Sequence, residues 1–195
     1  MALGLYALKP WYARRLAGVR ARLVARGVSP AVVSVAGIGF ALAAAAVIAL
    51  APQNAFAALA VTALLAGRLG CANLDGGIAR EAGRTTVAGA VLNEVADRVA
   101  DLLVIGAFAF HVSPELVVAA AFASTLPSWV ALAGAAAGVR RIQGGPVGKT
   151  ERCALAVLAV GVGSGAAWIV LSVLAFGSAL TAGLRLLRIA KEADR

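Results

Sequence analysis

Long stretches without a charged residue constrain this chain more than any other feature of its sequence. Residues 31–51 carry no charge, and a second uncharged run extends over 32 residues, from 153 to 184. Only 14% of the residues are charged, against roughly 25% in a soluble domain. An apolar run of about 20 residues is long enough to cross a bilayer as an α-helix. We therefore predict an all-α, polytopic membrane protein.

Breaks between the apolar runs divide the chain into six predicted membrane-spanning helices. Proline, glycine and polar clusters mark these breaks. The glycine-rich stretch 161–165 divides the last run, which is too long for one ordinary span and short for two. The spans are predicted at about 31–51, 55–80, 87–110, 116–139, 149–163 and 166–189. Together, residues 1–195 are predicted to form a single membrane domain.

Residues 9–27, before the first span, show a different pattern. Apolar side chains recur there at helical spacing, namely Tyr12, Leu16, Val19 and Leu23. Arginines fill the other faces, and Trp11 adds an aromatic side chain of the kind that favours the membrane–water boundary. This pattern predicts an amphipathic helix lying in the membrane interface. The alternative is an ordinary cytoplasmic leader.

Basic residues occupy every second connection between the predicted spans. Six lie before the first span, and others follow the second, fourth and sixth, whereas the turns near residues 52, 113 and 163 carry none. The positive-inside rule then places both termini in the cytoplasm. The net charge of +9 fits this orientation and contact with anionic membrane lipids, so we expect no nucleic acid partner. The Ala-, Arg- and Gly-rich composition is typical of a high-GC bacterium, which predicts a bacterial cytoplasmic membrane.

Four of the nine acidic residues lie inside the second and third predicted spans, near the connection between them, at Asp75, Glu94, Asp97 and Asp101. Unpaired charges are costly in hydrocarbon, so such residues usually face a functional cavity. Asn93, Asp97 and Asp101 share roughly one helix face, and Asp75 is predicted to lie opposite them. Converging carboxylates repel one another unless a cation joins them, and oxygen ligands favour Mg²⁺ or Mn²⁺. The alternative is simple ion pairing with arginines, namely Arg68, Arg80 and Arg98.

At these residues the sequence resembles the CDP-alcohol phosphatidyltransferases. Their signature reads D-x-x-D-G-x-x-A-R, eight residues, then G-x-x-x-D-x-x-x-D. Six positions match it: Asp75, Gly76, Ala79, Arg80, Gly89 and Asp97. Ala72 and Asn93 stand where the signature has its first and third aspartates. The resemblance extends to the six-span topology and the N-terminal helix.

The resemblance implies an enzyme of phospholipid biosynthesis. It would transfer a phosphatidyl-type group from a CDP-alcohol, expected to be CDP-diacylglycerol (CDP-DAG), to an alcohol and release CMP on the cytoplasmic side. In the family, the first three aspartates bind divalent metal ions and the fourth is the general base. Carried over, Asp75, Asn93 and Asp97 become metal ligands, and Asp97 also the base. Glu94 and Asp101 are predicted to compensate for the missing aspartates, and in a shifted register Asp101 is the base.

The same resemblance assigns two further groups of residues. The nucleotide pocket is predicted to be lined by Gly76, Ala79, Arg80 and Gly89. A small alcohol or polyol phosphate acceptor is predicted to bind the basic residues before the fifth span, which are Arg140, Arg141, Lys149 and Arg152. Ordinary positive-inside charge is the alternative for these four. A homodimer is a possible assembly.

Two other functions stay open. A catalytically inactive relative that binds CDP-lipid or a partner enzyme is supported by Ala72 and Asn93. A small transporter would use the intramembrane acids as ion sites. However, these acids form one cluster, and the two halves of the chain show no inverted repeat. Release of CMP from CDP-DAG, with and without Mn²⁺, separates the three functions.

Overall fold

The computed structural model describes residues 9–193, within which the chain forms helices and connecting turns but no strand. The all-α prediction is confirmed. The predicted domain, residues 1–195, extends beyond the described residues at both ends. The helices are α1 (Lys9–Arg15), α2 (Ala17–Ala25), α3 (Pro30–Leu50), α4 (Ala55–Glu81), α5 (Val87–Gly106), α6 (Pro114–Ala136), α7 (Lys149–Val162) and α8 (Ser164–Ala193), with a 3₁₀ turn over Ala107–Phe110.

Polar caps explain where the three helices around the acidic stretch begin. Ser29, Asn54 and Thr86 each accept a hydrogen bond from a backbone N–H in the first turn, at 3.3, 3.0 and 3.0 Å. Pro30 follows the first of these caps, at a helical position where its missing N–H costs nothing. The local sequence therefore determines the starts of α3, α4 and α5.

The helices pack around one apolar core. α3 packs against both α4 and α5, α8 packs against α6 and α7, and α7 also contacts α4. Many core positions are alanines, such as Ala44 and Ala159, which lie among larger side chains such as Ile48, Leu65 and Phe108. Small residues let helix backbones approach closely, which favours association inside a bilayer.

The predicted helix over residues 9–27 is two helices that meet at Leu16. α2 has no fully buried residue, and it covers a small apolar cluster formed by Val33, Leu74 and Ile78. Tyr12 donates a hydrogen bond to the Ala66 carbonyl at 2.9 Å. Burial raises the pKa of Tyr12, so its hydroxyl stays protonated as a donor.

Four helices are long and apolar enough to cross a membrane, by length and composition: Pro30–Leu50, Ala55–Glu81, Pro114–Ala136 and Ser164–Glu192. They indicate an integral membrane protein. Two further helices of the bundle, α5 and α7, do not meet both criteria. α5 carries charged side chains, and α7 has only 14 residues.

Candidate active site

The connection between α4 and α5 brings polar side chains to a common depth. Asp75 lies six residues before the end of α4, and Asn93 lies six residues after the start of α5. A helix advances 1.5 Å per residue, so both lie about 9 Å from the connection. α3 packs against both helices and closes the space between them.

A small cavity lies at this depth between α3, α4 and α5. Its polar lining comes from Ser34, Arg68, Asp75, Asn93 and Asp97. The cavity volume is about 10 Å³, which is room for about one water-sized occupant. The structure thus brings together Asp75, Asn93 and Asp97. Ala72, which stands at the signature's first aspartate, also lies in the cavity wall.

The two carboxylates in the cavity wall have different partners. Asp75 is 3% exposed and accepts hydrogen bonds from Ser34 Oγ at 2.8 Å and from the backbone N–H of Gly76. Asp97 is less buried and forms an ion pair with the Lys149 ammonium at 2.5 Å. Asp75 is therefore held by neutral donors, whereas Asp97 is paired with a cation.

Asp101 lies away from the cavity lining, in a buried ion-pair cluster. Its carboxylate oxygens contact Arg68 at 2.7 Å and Arg152 at 2.6 Å, and Arg98 approaches to 3.9 Å. Arg68, Asp101 and Arg152 are all nearly inaccessible to solvent. Arg68 also donates to the Asp97 carbonyl at 3.3 Å and to Cys153 Sγ at 3.1 Å. The cluster therefore ties together α4, α5 and α7.

Glu94 also faces arginines and does not line the cavity. Its carboxylate pairs with Arg141 at 2.6 Å and lies 4.0 Å from Arg98. Within residues 9–193, no three His, Cys, Asp or Glu side chains come close enough together to hold a metal ion. The described chain therefore does not gather the predicted four-carboxylate group at the cavity.

Helix geometry explains this separation. Successive residues turn by about 100°, so Asp97 is rotated by only about 40° from Asn93. Glu94 and Asp101 are rotated by about 100° and 80° in the same direction. These two acids thus share a second face of α5, where Arg98 lies between them.

Arginines converge beside this second face, and three of them, Arg98, Arg185 and Arg188, were not predicted from the sequence as binding residues. Arg185 on α8 lies close enough to four other guanidinium groups to be repelled by them, those of Arg98, Arg141, Arg152 and Arg188. Only Arg98 could have been found by spacing, because it lies four residues after Glu94 and three before Asp101. Arg185 comes from a distant helix, and its sequence context carries no signal.

The predicted nucleotide-binding residues flank the connection between α4 and α5. Gly76, Ala79 and Arg80 lie in the last turns of α4, and Gly89 lies in the first turn of α5. The Arg80 side chain is exposed. It packs close to Gly76, because a Cβ atom added to Gly76 would lie 3.3 Å from Nη1 of Arg80. Gly76, Ala79 and Arg80 thus lie between Asp75 and the end of α4, and Gly89 lies opposite them at the start of α5.

The four predicted acceptor-binding residues fall into two groups. Arg140 and Arg141 line an open cavity of about 470 Å³ near the end of α8. Lys149 and Arg152 do not line it and are in ion pairs with Asp97 and Asp101. Arg141 also pairs with an acid of α5, Glu94, so three of the four cations contact the acidic helix.

The loop before α7 is docked on α8 at defined points. The Val147 N–H donates to Thr181 Oγ1 at 2.9 Å, and Arg185 Nε donates to the Gly144 carbonyl at 2.9 Å. Arg185 also donates to the Pro127 carbonyl in α6, at 2.6 Å. Because Lys149 follows directly after this loop, its docking determines where the Lys149 side chain begins.

Gly145→Ala should destabilise the protein more than Gly144→Ala. Both glycines have positive φ, +133° for Gly145 and +88° for Gly144. A Cβ atom at Gly145 would overlap the Thr181 side chain, whereas a Cβ atom at Gly144 would meet nothing closer than 3.9 Å. Alanine at 144 should cost roughly 1–2 kcal/mol of backbone strain. Alanine at 145 should add roughly 1–3 kcal/mol of overpacking. Thermal unfolding in detergent measures the difference, and equal shifts would contradict the docked loop.

The fold and the cavity define an integral membrane protein with a polar site enclosed by apolar helices. Crystal structures of the phosphatidylinositol phosphate synthase of Mycobacterium tuberculosis, a CDP-alcohol phosphatidyltransferase, have this fold. The structure with CDP-DAG bound aligns with a TM-score of 0.70 and 25% identity over 88% of this chain and 92% of the other. The complex with manganese and citrate has a TM-score of 0.69 and 26% identity, covering 89% and 88%.

The apo form of that synthase aligns with a TM-score of 0.69 and 25% identity, covering 90% of this chain and 96% of the other. No protein-family model matches the sequence, and no curated protein matches it. The resemblance that the motif indicated is therefore confirmed at the level of the fold and of the enzymes that share it.

Proposed function

We propose that this protein transfers a phosphatidyl-type group from a CDP-alcohol, with CDP-DAG as donor, to an alcohol acceptor in phospholipid biosynthesis. One observation carries the proposal. A chain with the fold of a CDP-alcohol phosphatidyltransferase places Asp75, Asn93 and Asp97 around one cavity between α3, α4 and α5. Asp75 and Asp97 match that family's signature, and Asn93 stands at the position of its third aspartate.

A divalent metal ion is part of this proposal, since a related synthase has been crystallised with manganese. The chemistry of the donors fits such an ion, because Asp75, Asn93 and Asp97 offer two carboxylates and one amide oxygen to the same cavity. When bound, a Mg²⁺ or Mn²⁺ ion would neutralise charge on the pyrophosphate of the donor. Glu94 and Asp101 would join it only after leaving their arginines.

Asp97 is proposed as the general base. Its carboxylate lines the cavity and retains partial exposure, so it can meet an incoming hydroxyl group. As Asp97 takes the proton, the hydroxyl oxygen bonds to the phosphorus that bears the lipid, and the bond from that phosphorus to the CMP oxygen breaks. CMP leaves with the bonding electrons, and a phosphodiester lipid forms.

The nucleotide and acceptor are proposed to bind on opposite sides of Asp97. Gly76, Ala79, Arg80 and Gly89 would hold the cytidine nucleotide beside the helix connection. On the other side, Arg140 and Arg141 line an open cavity together with Glu192, and two guanidinium groups suit an acidic acceptor such as a polyol phosphate. Lys149 and Arg152 would support that wall from their ion pairs with the acids of α5.

Release of CMP by the purified protein tests the proposed function. With CDP-DAG, Mn²⁺ and a mixture of candidate alcohols and polyol phosphates, we expect CMP to form, and we expect chelation of Mn²⁺ to stop it. Binding of CDP-DAG without CMP release would favour a catalytically inactive relative. Ala72 and Asn93 support that alternative, because they replace two aspartates of the signature. Neither binding nor release would favour the transporter.

Six membrane spans with both termini in the cytoplasm form part of the proposal. α5 supports it because its exposed face is an apolar stripe formed by Val87, Val91, Val95 and Val99, which suits contact with lipid. Its acidic side chains instead pair with cations of α4, of α7 and of the loop before α7. The charged residues of α7 lie in its first turn, so the rest of that helix is apolar as well.

Reporter fusions test this topology. Fusions at Gln53, Val112 and Ser164 should report an external location, because these turns carry no basic residues and lie at the opposite ends of the helices from the acidic connection. Fusions at Arg84 and Gln143 serve as internal controls. A cytoplasmic signal at any of the first three positions would contradict six spans.

A further inference from the structure

The charges in the cavity wall nearly cancel without any metal ion. Asp75 and Asp97 are the only carboxylates among the described residues that line it. Arg68 lies in the same wall, and since Arg152 also pairs with Asp101, the Arg68–Asp101–Arg152 cluster keeps one net positive charge. The Lys149 ammonium adds a second positive charge at 2.5 Å from Asp97. Two divalent ions would bring four positive charges to two carboxylates. Ala72 and Asn93, which replace signature aspartates, add no negative charge.

The size of the cavity also favours a single metal ion over two. A volume of about 10 Å³ holds about one water-sized occupant. Its walls are formed by helix residues on three sides. Asp75 is fixed by Ser34 and by its own helix backbone, so it cannot swing outward without losing both donors. The cavity has room for one ion.

The position of Lys149 has no local explanation. It is the first residue of α7, where the helix dipole disfavours a cation. Its backbone follows the loop that is docked on α8 through Val147 and Thr181. An ion pair with Asp97 offsets this unfavourable placement and reaches across from α7 to α5.

We propose that Lys149 supplies, beside Asp97, the positive charge that a second divalent ion would otherwise bring, so that the cavity binds a single divalent cation. This inference rests on the proposed function in treating the cavity as a metal site. Lys149 is thereby a positioning residue. It holds one Asp97 oxygen and leaves Asp75, Asn93 and the other Asp97 oxygen for the cation.

Binding of Mn²⁺ to the full-length protein in detergent, without nucleotide, tests the proposal. Titration followed by electron paramagnetic resonance should give one Mn²⁺ per chain. Lys149→Met removes the competing charge, so we expect either a second bound Mn²⁺ or an affinity at least about tenfold higher. Lys149→Arg keeps the charge and should keep the wild-type stoichiometry. Lys191→Met, at an exposed lysine near the end of α8, is the matched control and should change nothing.

Three outcomes would overturn the proposal: two Mn²⁺ ions in the wild-type protein, none at all, or a Lys149→Met variant that binds Mn²⁺ as the wild type does. Size-exclusion elution and thermal unfolding establish that each variant is folded. The result is separable from the proposed function. One Mn²⁺ without CMP release would overturn the reaction alone, and CMP release with two Mn²⁺ ions would overturn this inference alone.

Discussion

Asp97→Asn should reduce CMP release from CDP-DAG by at least about 100-fold, the usual range for loss of a general base. The substitution preserves the shape of the side chain but removes the charge and the proton acceptor. The fold should survive, because the Lys149 partner is partly exposed and the bond from Arg68 goes to the backbone carbonyl of residue 97. CMP release and thermal unfolding are measured on the same preparation.

Glu115→Gln is the matched control for Asp97→Asn. Glu115 is an exposed carboxylate in the first turn of α6, on the side away from the acidic connection. The same chemical change there should leave CMP release unaltered. If Asp97→Asn retained most of its turnover, Asp97 would not be the base, and the register in which Asp101 takes that role would be favoured.

Asp101→Asn should have the largest effect on stability, a loss of about 3–5 kcal/mol in the free energy of unfolding, because removal of one partner leaves buried charges uncompensated. Arg68 is 2% exposed and Arg152 is 6% exposed, so neither can turn to water. Thermal unfolding in detergent should show a strongly lowered transition or no folded protein.

Glu81→Gln provides the comparison for Asp101→Asn. The Arg20–Glu81 pair has the same 2.6 Å separation as Arg152–Asp101, but its side chains are 29% and 41% exposed. An exposed ion pair contributes only about 0–1 kcal/mol, so this variant should unfold near the wild-type temperature. A stable Asp101→Asn protein that has lost CMP release would instead assign Asp101 to the chemistry.

The predictable part of this protein follows from local rules. Charge-free runs indicate membrane helices, and caps such as Thr86 determine where they begin. A short connection between two helices places Asp75 and Asn93 at equal depth, since each helix rises by the same amount per residue. For the same reason, the spacing of four between Asn93 and Asp97 was sufficient to predict their common cavity.

The unpredicted part depends on rotation and on distant contacts. Asp101 follows Asn93 by eight residues and is therefore rotated from it by about 80° around the helix axis. Asp101 thus lies on a different face of α5, where Arg68 and Arg152 surround it. Arg185 joins the site from a different helix through packing that no local pattern encodes. At the break between α1 and α2, the residues on either side of Leu16 are Arg15 and Ala17, so neither neighbour is a proline or a glycine.

The Arg68–Asp101–Arg152 cluster has a consequence for how the chain enters the bilayer. Arg68 and Asp101 are 33 residues apart, and Arg152 follows Asp101 by another 51. During synthesis, α5 therefore reaches the membrane with one close arginine partner already present and the other not yet made. We expect α4 and α5 to leave the insertion machinery as a pair. α5 should reach its final packed position only after α7 has inserted and Arg152 has paired with Asp101. Correct biogenesis then depends on a late helix completing the charge balance of an early one.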